Sequence, residues 1–184
     1  SSPSRGLGDV YKRQILNENS PTLSYWETIF NRFVDGDTSF VDSLLSDSVQ
    51  SFFYELVIFD DTTLNKTFHL LREQLDTSYV DYNIPEITSD DVVGGFRNGW
   101  GLFIINMDAA REQILIQVPH PCDDFIAPYI ALDLFFETDA FGFMIAGAGR
   151  EVAWNEIGDY SNSKSISDPS RYPHTVFQKF QDAV

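Results

Sequence analysis

The feature that most constrains the fold is a strand–helix–strand pattern in residues 113–146. Residues 113–118 are apolar and rich in β-formers, and residues 125–137 carry apolar positions at helical spacing. Residues 141–146 form a continuous apolar run, which is typical of a strand buried on both faces. Two strands joined through a helix form a βαβ unit with parallel strands. The pattern therefore predicts an α/β fold with a mixed, largely parallel sheet and flanking helices. The inward side of the helix is predicted to carry Ile126, Ile130, Leu134 and Phe135.

Two further strands are predicted before this unit. Residues 79–84 alternate and end at Pro85, and residues 100–106 form a second apolar, β-rich run. The short polar connection at residues 107–112 predicts that the strands at 100–106 and 113–118 form a hairpin or are adjacent.

Residues 15–78 are predicted to be a helical N-terminal region. Ser20 and Pro21 provide a start signal, and Trp26, Ile29 and Phe30 then recur at helical spacing. A second helical pattern begins near residue 38 and continues to residue 57, and a third covers residues 63–75.

The two ends of the sequence indicate a fragment. Residues 9–14 can be encoded by the transposon end used in sequencing libraries, so residues 1–14 are interpreted as a translated adapter. Residues 175–184 form a helical pattern without a stop signal. The predicted division is an artefact at 1–14, the helical region at 15–78 and an α/β domain at 79–184 that is truncated at its C-terminus.

Composition excludes several classes of function. The formal net charge of −16 disfavours binding to nucleic acid or an anionic membrane, because phosphate recognition needs clustered Lys and Arg. No apolar run approaches the roughly 20 residues that span a bilayer, which predicts a soluble chain. The single cysteine, Cys122, excludes an internal disulfide and a cysteine-only zinc site. The compartment and the oligomeric state are left open.

Residues 118–124 carry the strongest candidate chemistry, because they follow a predicted strand of the sheet. Ligands of open α/β sheets gather outside the carboxyl ends of the strands. His120 can supply a nitrogen ligand to zinc, and Asp123 or Asp124 can supply an oxygen ligand. The alternative is that His120 caps the strand and the two aspartates begin the following helix.

Arginines follow the second strand of the unit. Arg150 comes shortly after residues 141–146, and Asp168 and Arg171 follow a polar loop. One imidazole, several carboxylates and two guanidiniums at one edge of a sheet suit a divalent metal and an anionic substrate.

This order of residues resembles the zinc-dependent carboxypeptidase clan, nearest its N-formylglutamate amidohydrolase and poly-γ-glutamate hydrolase branches. The resemblance covers residues 114–172 and rests on the strand that ends in Val118-Pro119-His120-Pro121, on Arg150 and on the segment 168–171. It implies a phosphorylase/hydrolase-like domain that is incomplete here. It also implies zinc bound by His120 with Asp124 or Asp123, Arg150 as the catalytic oxyanion stabiliser, and Arg171 with Asp168 in substrate binding.

The chain departs from the family pattern in four respects. Ser170 stands where the family usually has Asn, and the acidic ligand is Asp where Glu is commoner. The second histidine ligand and the glutamate general base are not found, and in this clan both would lie beyond residue 184. The expected function is a metal-dependent hydrolase of an amide bond near a free carboxylate, acting on a small or peptide-like substrate. The alternative is a non-catalytic α/β domain that binds a small carboxylate ligand.

Three other motifs are interpreted structurally. His174 precedes the last helical pattern, where a capping or surface role is common, and Cys122 lacks a His–Asp pair that would activate it. The glycine-rich segment 94–101 precedes a strand and does not open a helix, so turn geometry explains it better than phosphate binding.

Overall fold

The computed structural model describes residues 16, 18–47, 52–75, 96–121, 124, 126–147 and 168–184. These residues form four helices and five strands. The helices are α1 (Pro21–Val34), α2 (Thr38–Leu45), α3 (Ala127–Glu137) and α4 (Val176–Ala183). The strands are β1 (Tyr54–Asp61), β2 (Lys66–Glu73), β3 (Leu102–Asn106), β4 (Arg111–Val118) and β5 (Ala140–Ile145).

The strands form one mixed sheet in the order β1-β2-β3-β5-β4. The pairs β1–β2, β2–β3 and β3–β5 are antiparallel, and only β4–β5 is parallel. The α/β class is confirmed, but the prediction of a largely parallel sheet is wrong. Parallel pairing needs a long crossover, and α3 provides one between β4 and β5, whereas β1 and β2 are joined by a tight turn.

The hairpin β1–β2 replaces the helices that were predicted for residues 54–57 and 63–75. Asp61 Oδ1 accepts hydrogen bonds from the backbone N–H groups of Thr63 and Leu64, at 2.8 and 3.0 Å. Asn65 adopts a left-handed conformation with φ of 52°, which closes the turn. Apolar spacing alone did not reveal this turn. Because β2 also pairs with β3, the sheet takes strands from both sides of residue 78.

The prediction that residues 100–106 and 113–118 form a hairpin or lie side by side is also wrong. β5 lies between β3 and β4 and pairs with both of them. The connection after β3 is held by Asp139, which precedes β5 and accepts hydrogen bonds from Asn106 Nδ2 at 2.8 Å and from the N–H of Ala110 at 3.1 Å. The predicted βαβ unit itself is confirmed as β4–α3–β5. The strand predicted at residues 79–84 lies outside the described residues.

One face of the sheet packs against α1, α2 and α4. Trp26, Ile29, Phe30 and Phe33 of α1 are all buried, as their spacing predicts. Phe30 meets Phe180 of α4 with ring centroids 5.2 Å apart. Both rings also contact Phe103 of β3, and this aromatic layer forms the larger of two cores.

Of the described helices, α3 packs against the other face of the sheet. Ala131 and Phe135 are buried against Phe68, Ile104 and Phe143. Phe135 points inward as predicted, but Ile126, Ile130 and Leu134 are exposed, so those three predictions are wrong. α3 is apolar on all sides, and its sequence therefore does not distinguish an inward face. No helix in the described part of the chain is long and apolar enough to cross a bilayer.

Candidate functional site

His120 is placed by the carboxyl end of β4. The backbone N–H of Ala146, directly after β5, donates to the carbonyl of Val118 at 3.0 Å and fixes the end of β4 against its neighbour. The chain then turns, because the N–H of Asp124 donates to the carbonyl of His120 at 3.0 Å. The N–H of Ala127 donates in turn to the carbonyl of Asp124, which leads into α3. His120 therefore stands at a strand end and Asp124 stands at the entrance to the helix.

A tight turn before α4 brings Asp168 to the same place. The carbonyl of Asp168 accepts the backbone N–H groups of Arg171 and Tyr172, at 3.0 and 2.9 Å. Gln178 Nε2 of α4 donates to the carbonyl of Pro169 at 2.7 Å, so the helix holds the turn.

The central contact joins His120 and Asp168, which are 48 residues apart in the sequence. His120 Nε2 lies 2.8 Å from Asp168 Oδ1. The Ser170 hydroxyl also donates to Asp168 Oδ1, at 2.6 Å, and its backbone N–H does so at 2.9 Å. Asp168 is only 2% exposed, so its carboxylate is enclosed and fully engaged.

The protonation of this pair follows from its surroundings. Burial raises the pKa of Asp168, but hydrogen bonds from Ser170 and His120 outweigh burial and leave the pKa below its ordinary value. An ionised carboxylate only accepts hydrogen bonds, so His120 carries a proton on Nε2. In the neutral ring, the lone pair then lies on Nδ1.

His120 Nδ1 faces Asp124. The distance from Nδ1 to Asp124 Oδ2 is 3.9 Å, which is too long for a hydrogen bond. The Asp124 side chain is 60% exposed. The structure therefore brings an imidazole nitrogen and an exposed carboxylate to within 3.9 Å of one another.

Arg171 completes the described cluster. Its Nε lies 3.5 Å from Asp168 Oδ2, and its side chain is 61% exposed. The turn therefore orients the guanidinium while leaving it accessible to an anion.

Ser, His and Asp do not form a nucleophilic relay here. Ser170 Oγ lies 3.3 Å from His120 Nε2, the same ring nitrogen that Asp168 contacts. In a catalytic triad the acid and the nucleophile engage opposite ring nitrogens. Ser170 acts on Asp168 instead, a role that its position in the sequence did not reveal.

Four predicted site residues thus lie together: His120, Asp124, Asp168 and Arg171. Asp123 and Arg150 lie outside the described residues, as does Cys122. Within the described ranges, no group of three or more His, Cys, Asp and Glu is placed to hold one metal ion.

His174 makes a different contact from the residues of the cluster. Its ring packs edge-on against Tyr172, with centroids 5.3 Å apart. The neighbouring Thr175 caps α4 through a hydrogen bond from the N–H of Gln178.

Comparison with known proteins adds no family. No protein-family model, curated protein or solved structure matches the chain. The resemblance to the zinc carboxypeptidase clan therefore rests on the residues quoted for it.

Proposed function

We propose that the chain belongs to a zinc-dependent hydrolase that cleaves an amide bond near a free carboxylate. The observation that carries the proposal is the hydrogen bond between buried Asp168 and His120 Nε2. Metal-binding histidines usually donate their second ring N–H to a carboxylate, which fixes the tautomer and the ring orientation.

The donor set suits zinc in chemical type, since imidazole nitrogen and carboxylate oxygen are ordinary zinc ligands. His120 Nδ1 and Asp124 would hold the ion, and Asp123 is the further candidate that the sequence offers. A bound zinc ion would polarise the amide carbonyl and lower the pKa of a water molecule.

The protein residues have distinct roles in this proposal. Asp168 holds the proton on Nε2 and keeps Nδ1 directed at the site, and Ser170 keeps Asp168 ionised and fixed. Arg171 binds the carboxylate of the substrate. Arg150 is assigned the stabilisation of the oxyanion, and this assignment rests on the resemblance alone.

Zinc titration by calorimetry tests the ligand assignment. The chain should bind one zinc ion, weakly because the described residues bring only two ligands together, and His120→Ala should abolish binding. Asp168→Asn should weaken affinity by about 10–100-fold, because the orienting carboxylate is lost. His174→Ala is the matched control and should bind zinc as the parent does. Binding that survives His120→Ala would contradict the assignment.

Hydrolysis tests the reaction class. The complete protein should release amino acid from N-acyl amino acids, and chelation should stop it. Unchanged activity in His120→Ala would remove the basis of the proposal.

A second candidate is a binding domain for a small carboxylate ligand without metal chemistry. The exposed guanidinium of Arg171, held by the buried Asp168, favours it. In the presence of chelator, the parent chain should then bind glutarate. The variant Arg171→Gln should bind glutarate at least about tenfold more weakly than the parent does. Equal affinity for the two proteins would exclude this candidate.

A further inference from the structure

A pocket of about 810 Å³ lies at the end of the sheet from which the loop with His120 emerges. One row of paired residues crosses four strands along it: Glu55 pairs with Arg72, Arg72 with Leu102, and Leu102 with Ile145. All four residues line the pocket. The pocket is therefore built on the last row of paired residues that crosses all four of these strands.

The walls of the pocket join it to the proposed site. Pro121 lines the pocket and follows His120 directly in the chain. Phe96 and Leu75 line it as well, together with Ala146 after β5. A molecule in this pocket therefore lies against the loop that carries His120.

The glycine-rich segment gives the pocket its shape. Gly101 has φ of 114°, and a Cβ there would collide with the carbonyl oxygen of Ile145. A Cβ on Gly147 would lie 2.5 Å from the carbonyl carbon of Gly99. Only glycine permits this close approach between the segment and the end of β5.

Glu73 anchors the same segment. Its buried carboxylate accepts the backbone N–H groups of Asn98 and Gly99, at 2.5 and 2.8 Å. Asn98 Nδ2 donates to the carbonyl of Phe52 at 2.6 Å. These bonds fix the wall, so the pocket is preformed in the folded chain.

The polar groups along the pocket are engaged with one another. Arg72 Nε pairs with Glu55 Oε1 at 2.7 Å, and the Glu73 oxygens are used by the backbone. Leu75, Phe96, Leu102, Pro121 and Ile145 present apolar surface. The pocket volume lies within the range of roughly 300–1,000 Å³ that is typical of pockets for drug-sized ligands. It is larger than the volume of a single small side chain.

We propose that this pocket binds a large apolar group, an alkyl chain or an aromatic ring, of a ligand that also contacts the loop carrying His120. The part that concerns His120 and the amide rests on the proposed function. With that function, the substrate class is N-acyl amino acids with a long or aromatic acyl group.

Calorimetry with N-acetylglycine, N-hexanoylglycine and N-decanoylglycine, in chelator and below micelle formation, tests the pocket. Each methylene that enters should raise affinity by up to about fourfold, so the hexanoyl compound should bind at least roughly tenfold more tightly than the acetyl compound. Affinity independent of chain length would overturn the proposal.

Two variants locate the binding. Phe96→Ala removes a wall of the pocket from a side chain that is 48% exposed, so folding is retained. Phe59→Ala is the matched control, since Phe59 is 53% exposed on β1 and does not line the pocket. Phe96→Ala should weaken decanoyl binding by about threefold to tenfold and Phe59→Ala should not. Equal effects would overturn the assignment.

Methyl NMR provides a readout independent of the variants. The decanoyl compound should shift the methyl signals of Leu102 and Ile145. Shifts confined to Ile130 and Leu134 on the outer side of α3 would place binding elsewhere. Because chelator removes metal from these assays, their results are independent of the zinc titration. A chain that binds the acyl compounds but no zinc would support the pocket proposal and contradict the hydrolase proposal.

Discussion

Phe180 connects the aromatic core to the candidate site, so its truncation should affect both. The side chain is fully buried, and its ring centroid lies 5.2 Å from that of Phe30 and 5.1 Å from that of Phe103. α4 carries both Phe180 and Gln178, which holds the turn of Asp168. Phe180→Ala should therefore loosen α4 against α1 and the sheet.

The magnitude follows from burial. A buried Phe removes about 200 Å² from water, and at about 25 cal/mol per Å² this contributes roughly 5 kcal/mol. Residual burial in the unfolded chain lowers the figure to about 3–4 kcal/mol. The free energy of unfolding should thus fall by about 3–5 kcal/mol in Phe180→Ala, as for other core Phe truncations.

Urea unfolding followed by tryptophan fluorescence measures this change, since Trp26 lies in the same core. With a slope of about 2 kcal/mol per M, the midpoint should drop by roughly 2 M. Phe180→Leu keeps most of the volume and should lose about 1.5 kcal/mol or less. Phe136→Ala, on a half-exposed ring of α3, is the control. A loss below about 1 kcal/mol in Phe180→Ala would refute the packing described for α4.

Two further predictions concern polar positions. The hydrogen bond from Lys66 Nζ to Asp139, with smaller contributions from Ala110 and Asn106, lowers the pKa of Asp139 below its ordinary value of 3.8. The stability from ionised Asp139 is therefore present above pH 3.8 and is lost as the pH falls through the lower folded pKa. In Asp139→Asn the left-handed backbone stays accessible, and the free energy of unfolding should fall by about 1 kcal/mol at pH 7 and by less at acid pH. A difference in urea midpoints that does not change with pH would contradict this. Asn65 has φ of 52° in the β1–β2 turn, so Asn65→Gly should leave the free energy of unfolding nearly unchanged. Asn65→Ala should lower the free energy of unfolding by about 1 kcal/mol in the same assay. Equal urea midpoints for the two variants would contradict the turn geometry.

Local patterns predicted those elements whose burial follows a regular period. α1 begins at the expected proline, and α4 and the β4–α3–β5 unit lie where the spacing placed them. The hairpin β1–β2 was missed because Phe68, Leu71 and Leu75 also satisfy helical spacing, while Asp61 and Asn65 determine the turn. Short apolar runs fit either period.

The candidate site was predicted in part for a similar reason. His120 and Asp124 are close in sequence, so a tight loop after a strand predicts their approach. The contact between His120 and Asp168 joins residues 48 apart and depends on where α4 packs. The resemblance assigned Asp168 to substrate binding, whereas its burial and its bond to His120 support the orienting role proposed above.

The sequence by itself determined the α/β class, the parallel βαβ unit and the residue types available at the strand end. Each of these follows from hydrophobic period, chain connectivity or side-chain chemistry, which are local properties. Only the tertiary structure decided the strand order, the face of α3 that is buried, and the side of His120 that Asp168 occupies. These features depend on which apolar surfaces, distant in the sequence, pack against one another. Many different pairings of such surfaces are compatible with the same local pattern, and only the packing of the whole core selects one of them.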